Sequence, residues 1–258
     1  MSRTTIIAWT DHTWNPWMGC KKVSPGCANC YAERLTRDRM GLRLWGRRPR
    51  QVTSVANWRK PERWNRDAQA NGMPRKVFCA SLCDVFEDHP IANRTRPRVF
   101  ETIRRCSWLT FQILTKRPER ILKGLPNDWG SGWANVWLGT SIENNEWVHR
   151  ADFLCTIPAV VRFVSYEPAL GPLDKLDLNG IDWVIYGGES GPRHRPEDKQ
   201  WARDMRDRCS ARGVAFFHKQ SASYRTEMGT LLDGKEVREF PTPRVYKSSA
   251  RSPANDQR

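Results

Sequence analysis

The chain has 258 residues, 39% hydrophobic and 28% charged, a composition that folds around its own core instead of staying disordered. No run approaches the roughly eighteen apolar residues of a membrane span, and the N-terminal apolar stretch is too short for a secretory signal. A soluble cytoplasmic protein is therefore expected, with no membrane partner. The 43 basic residues outnumber the 28 acidic ones by 15, and the excess lies in residues 1–129, with 25 basic against 11 acidic. Such one-sided charge fits a polyanionic partner, nucleic acid or a nucleotide, with DNA ahead of RNA.

The predicted elements alternate along the chain. Thr4–Trp9 reads as a first strand, and Tyr31–Arg39 as a helix. Residues 41–75, rich in Arg, Trp, Pro and Asn, show no clear strand and read as a basic, Trp-rich insertion after the first βα unit. Strands follow at Val77–Ser81, Thr110–Thr115, Val136–Thr140, Val161–Ser165, Ile181–Tyr186 and Val214–His218. They lack strict alternation, as strands buried on both faces do. Helical patterns fall between them at Asn93–Cys106, Pro118–Leu122, Asn144–Leu154 and Pro196–Arg212. This βα repetition points to a barrel or a doubly wound sheet. Polar residues gather just after six successive strands, which favours the barrel, whose site face is that edge. The expectation is an α/β fold with a full or partial TIM-like (β/α) barrel. It forms one domain over 1–240, followed by a loose basic tail at 241–258.

Cys20, Cys27 and Cys30 crowd into eleven residues with the spacing Cys-x6-Cys-x2-Cys, while five other cysteines are scattered. In a reducing compartment that pattern reads as a metal or cluster site. Thiolates hold zinc or iron–sulfur. A structural zinc wants four ligands, and His12 is the fourth candidate. A 4Fe–4S cluster held by three thiolates keeps one iron open for a small chelating ligand. The bland alternative is a zinc knuckle or three ordinary buried cysteines. Cys79 and Cys83 read as packing or an added ligand pair.

The polar strand ends supply further candidates. Gly187-Gly188-Glu189-Ser190-Gly191 reads either as a ligand-cradling turn with exposed N–H groups or as a tight turn with a salt-bridged Glu. Lys116 and Arg117 suit phosphate or a cofactor carboxylate, or else helix capping and surface charge. Glu167 ends a buried strand and needs a partner, with Lys116, Arg162 and Lys219 in reach. Ser141 and Glu143 suit a ribose. Asp84 and His89 suit substrate contact, or an N-cap for Asp84. Trp14 and Trp17 flank the cysteine loop as shields. Arg43, Trp45, Arg47, Arg48, Trp58 and Arg59 form the candidate nucleic-acid surface, because Arg neutralises phosphates and Trp stacks on unpaired bases. The alternative there is a Trp-anchored cover over the barrel with a solvated Arg face.

The segment Gly19-Cys20 through Ser24-Pro25-Gly26-Cys27 to Cys30-Tyr31-Ala32-Glu33 resembles the cluster loop of the radical SAM superfamily, whose usual spacing is Cys-x3-Cys-x2-Cys. With Trp9-Thr10-Asp11, Thr13-Trp14-Asn15-Pro16, Leu114-Thr115-Lys116-Arg117-Pro118, Asn135-Val136-Trp137-Leu138-Gly139, Glu167-Pro168 and Gly187-Gly188-Glu189-Ser190-Gly191, the chain resembles a phage-associated, radical-SAM-like family of unknown function. That family is distantly similar to spore photoproduct lyase. The resemblance implies a barrel of the radical SAM type and a 4Fe–4S cluster on Cys20, Cys27 and Cys30. It also implies S-adenosylmethionine as cofactor and a reductant such as flavodoxin or ferredoxin. A 5′-deoxyadenosyl radical would then act in modification or repair of a nucleic acid base or nucleotide. Tyr31, Thr115, Ser141, Glu143, Ser165, Gly187, Gly188 and Glu189 are the expected cofactor-binding residues, and Lys116, Glu167 and Lys219 the expected catalytic ones. A monomer is expected. The competing readings are a non-catalytic nucleic-acid-binding protein stabilised by zinc or a cluster and, behind it, a metal-dependent nuclease.

Overall fold

The computed structural model describes residues 5–244. Its framework is one parallel sheet of seven strands: β1 (His12–Trp14), β2 (Arg75–Cys79), β3 (Leu109–Thr115), β4 (Val136–Ser141), β5 (Arg162–Tyr166), β6 (Trp183–Gly187) and β7 (Ala215–Gln220). The spatial order is the sequence order. A doubly wound sheet reverses its order at a switch point, and this one does not.

The sheet curls. The Trp9 ring packs 4.6 Å from Phe78 on β2, 6.4 Å from Phe163 on β5 and 6.2 Å from Trp183 on β6, centroid to centroid. On a flat sheet β2 and β6, four strand spacings apart, would be separated by about 19 Å. One indole can touch both only if the strands wrap around it. Trp9 thus fills the interior of a half-barrel, together with Phe78, Trp137, Phe163, Trp183, Ile185 and Phe217. Gly139 belongs to this packing, since a Cβ there would stand 2.4 Å from the Phe163 ring.

On the outer face Val77, Phe111, Ile113, Leu138, Val164, Val184 and Phe216 belong to a larger core under the helices. The main helices are α1 (Tyr31–Arg34, continued by a π-helical turn over Leu35–Arg39), α2 (Lys60–Ala70), α3 (Pro90–Arg104), α4 (His149–Cys155) and α5 (Lys199–Arg212), with single turns at Val55–Trp58 and Ile121–Gly124. β4 and β6 are buried at every position, which is why their sequences do not alternate.

Three expectations change. Thr4–Trp9 is not a strand over its described residues 5–9; it lies beneath the sheet as the plug that carries Trp9. Residues 41–75 are not a strandless insertion. They hold the helix Val55–Trp58 and α2, which lies between β1 and β2 in the chain and packs on β2 and β3. Gln51–Val52 also pairs antiparallel with Trp17–Met18. In α2 the buried residues are Pro61, Trp64 and Ala68, a helical face at three- and four-residue spacing that the surrounding arginines obscure. The expected tail begins too early, because residues up to 244 are docked. Val237–Glu239 lies antiparallel to β7, with the His218 and Glu239 N–H groups donating to Val237 and Phe216 carbonyls, and Arg244 pairs with Asp182 at 2.9 Å. Positions 245–258 lie outside the described residues. Among the described residues no helix is long and apolar enough to cross a membrane.

Candidate active site

Side chains on one face of a strand recur every second residue. Above the aromatic plug, continuing towards the strand C-termini, the interior face carries Gly139 and Ser141 on β4, Ser165 on β5, Gly187 on β6 and Lys219 on β7. Ser141 and Ser165 stand in register, as do Ser165 and Ile185. Small and polar residues replace rings there, at the end where a barrel keeps its site. Lys219 pairs with Glu167, the residue just beyond β5, through Nζ and Oε1. Of the three candidate partners for Glu167, the structure selects this one. Gly187 fits beneath that pair: a Cβ would stand 2.9 Å from the Glu167 carboxyl carbon.

The cysteine loop lies across this edge, held at four strand ends. Beyond β2, Gly19 N–H donates to the Leu82 carbonyl at 3.0 Å and the Tyr31 hydroxyl to the Ser81 carbonyl at 2.9 Å. Beyond β3, Arg117 donates to the Lys21 carbonyl at 2.7 Å and reaches Cys20 Sγ at 3.7 Å. Beyond β4, the Ser24 hydroxyl donates to Glu143 Oε1 at 2.6 Å. Beyond β6, Asn29 donates to Glu189 Oε2 at 3.0 Å, and Arg195 to the Pro25 carbonyl at 3.2 Å. The backbone at Gly26 lies so close to Glu143 that a Cβ would sit 2.3 Å from Oε1. Only glycine permits that approach.

The carboxylates that anchor the loop are fully engaged. Glu143, with 0% exposure, takes Arg150 at 2.9 Å and Lys116 at 3.3 Å besides Ser24. Burial disfavours its charge, but Lys116, Arg150 and the Ser24 hydroxyl outweigh that and hold its pKa below the usual carboxylate range. Glu189 behaves likewise: burial opposes its charge, and hydrogen bonds from Arg195 and Asn29 prevail. The two expected ribose or cofactor acids therefore act as clamps on the loop. Arg117 is buried against Asp84 at 2.7 Å, while Glu87 receives Arg50 through two bonds of 2.8 Å.

Several other candidates are occupied. The Thr115 hydroxyl donates to Asp84 at 2.7 Å and accepts from Arg117 N–H. Gly188 N–H donates to the Gln220 carbonyl and Gly191 N–H to the Ser223 carbonyl. The turn is therefore not a row of free donors. Gly188 is required by Ala222, whose nitrogen would stand 2.1 Å from a Cβ. His89, not Asp84, caps a helix, accepting from Ile91 N–H at the start of α3. Trp14 and Trp17 are core residues with no exposure. Trp58 leaves the expected nucleic-acid surface: it is buried edge-on to Trp14, with the Arg98 guanidinium 4.2 Å above its ring. Arg43, Arg47, Arg48 and Arg59 are exposed, and Trp45 is half-buried.

The three cysteines are free thiols, each partly buried. Burial and the Asp84 carboxylate push Cys20 up to about 12, with Arg117 opposing; burial also raises Cys30. Among the described residues no three His, Cys, Asp or Glu side chains are grouped to hold a single metal ion. An iron–sulfur cluster makes a different demand, since each thiolate takes its own iron. Three thiolates on one glycine-containing loop, beside the cations Arg117 and Lys116, are a donor set that fits such a cluster, and loading would displace the thiol protons.

A family model described as protein of unknown function (DUF5131) matches residues 4–241. The chain belongs to that family. No curated protein matches it. Among solved structures it shows a distant likeness to a mutant of spore photoproduct lyase with bound AdoMet and dinucleoside spore photoproduct. The TM-score is 0.45 and the identity 11%, over 77% of this chain and 61% of the other. The chain thus spans about three fifths of that protein's length.

The loop's anchors were the least legible part of the site. Nothing in a chain with this many arginines marks Arg50, Arg150 and Arg195 as the ones that turn inward. The available signal was the buried carboxylates themselves, each of which requires a cation.

Proposed function

We propose that this protein is a radical SAM-type enzyme that modifies or repairs a nucleic acid base or nucleotide. The observation that carries the reading is the cysteine loop pinned across the open end of a parallel half-barrel, above an interior lined by Ser141, Ser165, Gly187 and the Glu167–Lys219 pair. Cys20, Cys27 and Cys30 would hold a 4Fe–4S cluster, with S-adenosylmethionine as the second cofactor. When bound, the two supply one-electron chemistry that ends in hydrogen-atom abstraction from substrate.

The chain's own residues would do the rest. Arg117 and Lys116 offset negative charge at the loop. The Ser141 and Ser165 hydroxyls face the interior and offer hydrogen bonds to a polar ligand. Lys219, held by Glu167, is the candidate proton donor within the barrel. The plug of Trp9, Phe163 and Trp183 fills the far end of the interior and keeps water from that end. Exposed Arg43, Arg47, Arg48 and Arg59 would meet the phosphates, and a base in duplex would have to be extruded to reach the interior. A flavodoxin- or ferredoxin-like donor, a cytoplasmic location and a monomeric state complete the proposal.

The test is anaerobic reconstitution with iron and sulfide, followed by reduction in the presence of S-adenosylmethionine. The reading expects a brown protein, 5′-deoxyadenosine as product, and loss of both on Cys27→Ala. A reconstituted chain that binds no iron, or that binds zinc alone, overturns it. The non-catalytic reading predicts nucleic-acid binding with no 5′-deoxyadenosine.

A further inference from the structure

A cleft of about 450 Å³ lies beside the cysteine loop, on the outer side of the loops that follow β2, β3 and β4. Lys21 and Val23 of the cysteine loop form one wall; Trp147, Arg150 and Phe153, at and within α4, form the other; Lys116 lies between them. The enzyme reading above uses two of its lining residues, Lys116 and Arg117, at the cysteine loop, but gives the cleft itself no ligand.

Two features point to its ligand. First, the cations outnumber the acids available to them. Lys116 and Arg150 share the single carboxylate of Glu143, and exposed Lys21 has no ion pair among the described residues. Glu87 and Asp88, which also line the cleft, are already paired with Arg50 and Arg120. Glu119 is the remaining lining carboxylate. Second, Phe153 presents 46% of its surface to solvent, although it lies among charged groups. The Arg150 guanidinium already covers the Trp147 ring at 4.2 Å, so Phe153 is the free aromatic surface. Surplus cations beside a vacant ring match a phosphate and a base.

We propose that this cleft binds one unpaired nucleotide of a single-stranded segment, with its phosphate towards Lys21 and Lys116 and its base on Phe153. The proposal rests on the nucleic-acid reading above and adds to it a contact that distinguishes an unpaired strand from a duplex. The exposed arginines at 43–59 contact backbone alone and serve both forms.

The test is fluorescence anisotropy of the full chain with a labelled oligothymidylate, the matching duplex, and thymidine monophosphate as competitor. Phe153→Ala should weaken single-strand binding by roughly 5- to 150-fold, the range that stacking one base on an aromatic ring provides. Duplex binding should stay within about twofold, and Phe153→Tyr should restore the single-strand affinity. Lys21→Gln should lower the slope of affinity against salt by about 0.7, one phosphate contact on a single strand. The double variant Arg47→Gln/Arg48→Gln should weaken both forms together. Unchanged single-strand binding in Phe153→Ala, or equal losses on both forms, overturns the cleft. Competition by thymidine monophosphate as strong as that of the strand reassigns the cleft to free nucleotides and overturns the strand proposal. A wild-type chain that binds neither oligonucleotide overturns the nucleic-acid reading itself. Thermal midpoints of all variants control for misfolding.

Discussion

Towards the N-terminal end of the strands the half-barrel is filled by Trp9, Phe78, Phe163, Trp183 and Phe217, packed ring against ring. At the other end the same strands carry Ser141, Ser165, Gly187 and Lys219, and the loop across them is tied to the strand ends by hydrogen bonds to side chains and carbonyls. One end is stabilised by ring packing and area burial, which are tolerant of detail. The other depends on buried carboxylates, each satisfied by named cations, where losing a single partner leaves an uncompensated charge. A site built in the second way holds a loop in position through chosen partners and not through filled volume.

The largest expected effect breaks the packed end. Trp9→Ala removes a nearly fully buried indole from between three strands and should destabilise the fold by about 3–5 kcal/mol in denaturant unfolding. Iron uptake by the fraction that stays folded should be retained. Loss of iron binding in that folded fraction would show that the two ends are not independent.

Glu143→Gln comes next. It removes the charge shared by Arg150 and Lys116 and weakens the Ser24 anchor, with an expected loss of about 1–3 kcal/mol and fewer iron atoms retained per chain. The same carboxylate sets a pH dependence. Its folded pKa is depressed, so its contribution to stability is present above the unfolded carboxylate pKa and disappears as pH falls through the folded one. The wild type should lose stability on acidification over that window, and the Gln variant should lose less of it.

Gly26→Ala tests the close approach directly. The added methyl meets the Glu143 carboxylate, and overpacking of this kind costs about 1–3 kcal/mol. Since the loop is the part able to move, iron retention should fall before global stability does. Glu167→Gln takes the charged partner from Lys219, which is only 8% exposed, but leaves an amide oxygen to accept its proton, so unfolding should shift by about 1–2 kcal/mol. If this pair serves the chemistry, turnover falls by far more than that shift accounts for. Unchanged turnover would remove Glu167 from the mechanism.

Much of the framework was legible in the sequence. Each expected strand from Val77 onward overlaps an observed one, because runs such as Val136–Thr140 are apolar on both faces and short, and the order of strands follows from their alternation with helices. Trp58 and α2 were harder. Their apolar positions are few and lie among arginines, so the segment looked like a basic surface when its Trp side chains are inside. Thr4–Trp9 misled for the opposite reason: a run with β-like composition serves as a plug, because one large ring was needed where the curled sheet leaves a central space.

The sequence by itself determined a parallel β/α framework, the position of three thiols on one glycine-containing loop, and polar groups at the strand ends, since each depends on local composition and spacing. Only the tertiary structure decided which charges meet. Ser24 finds Glu143 across 119 positions, Asn29 finds Glu189 across 160, and Arg50 rather than its exposed neighbours turns in to Glu87. An ion pair is chosen by distance and by exclusion of water, and neither exists until the sheet has curled and brought the loops of separate strands to one edge.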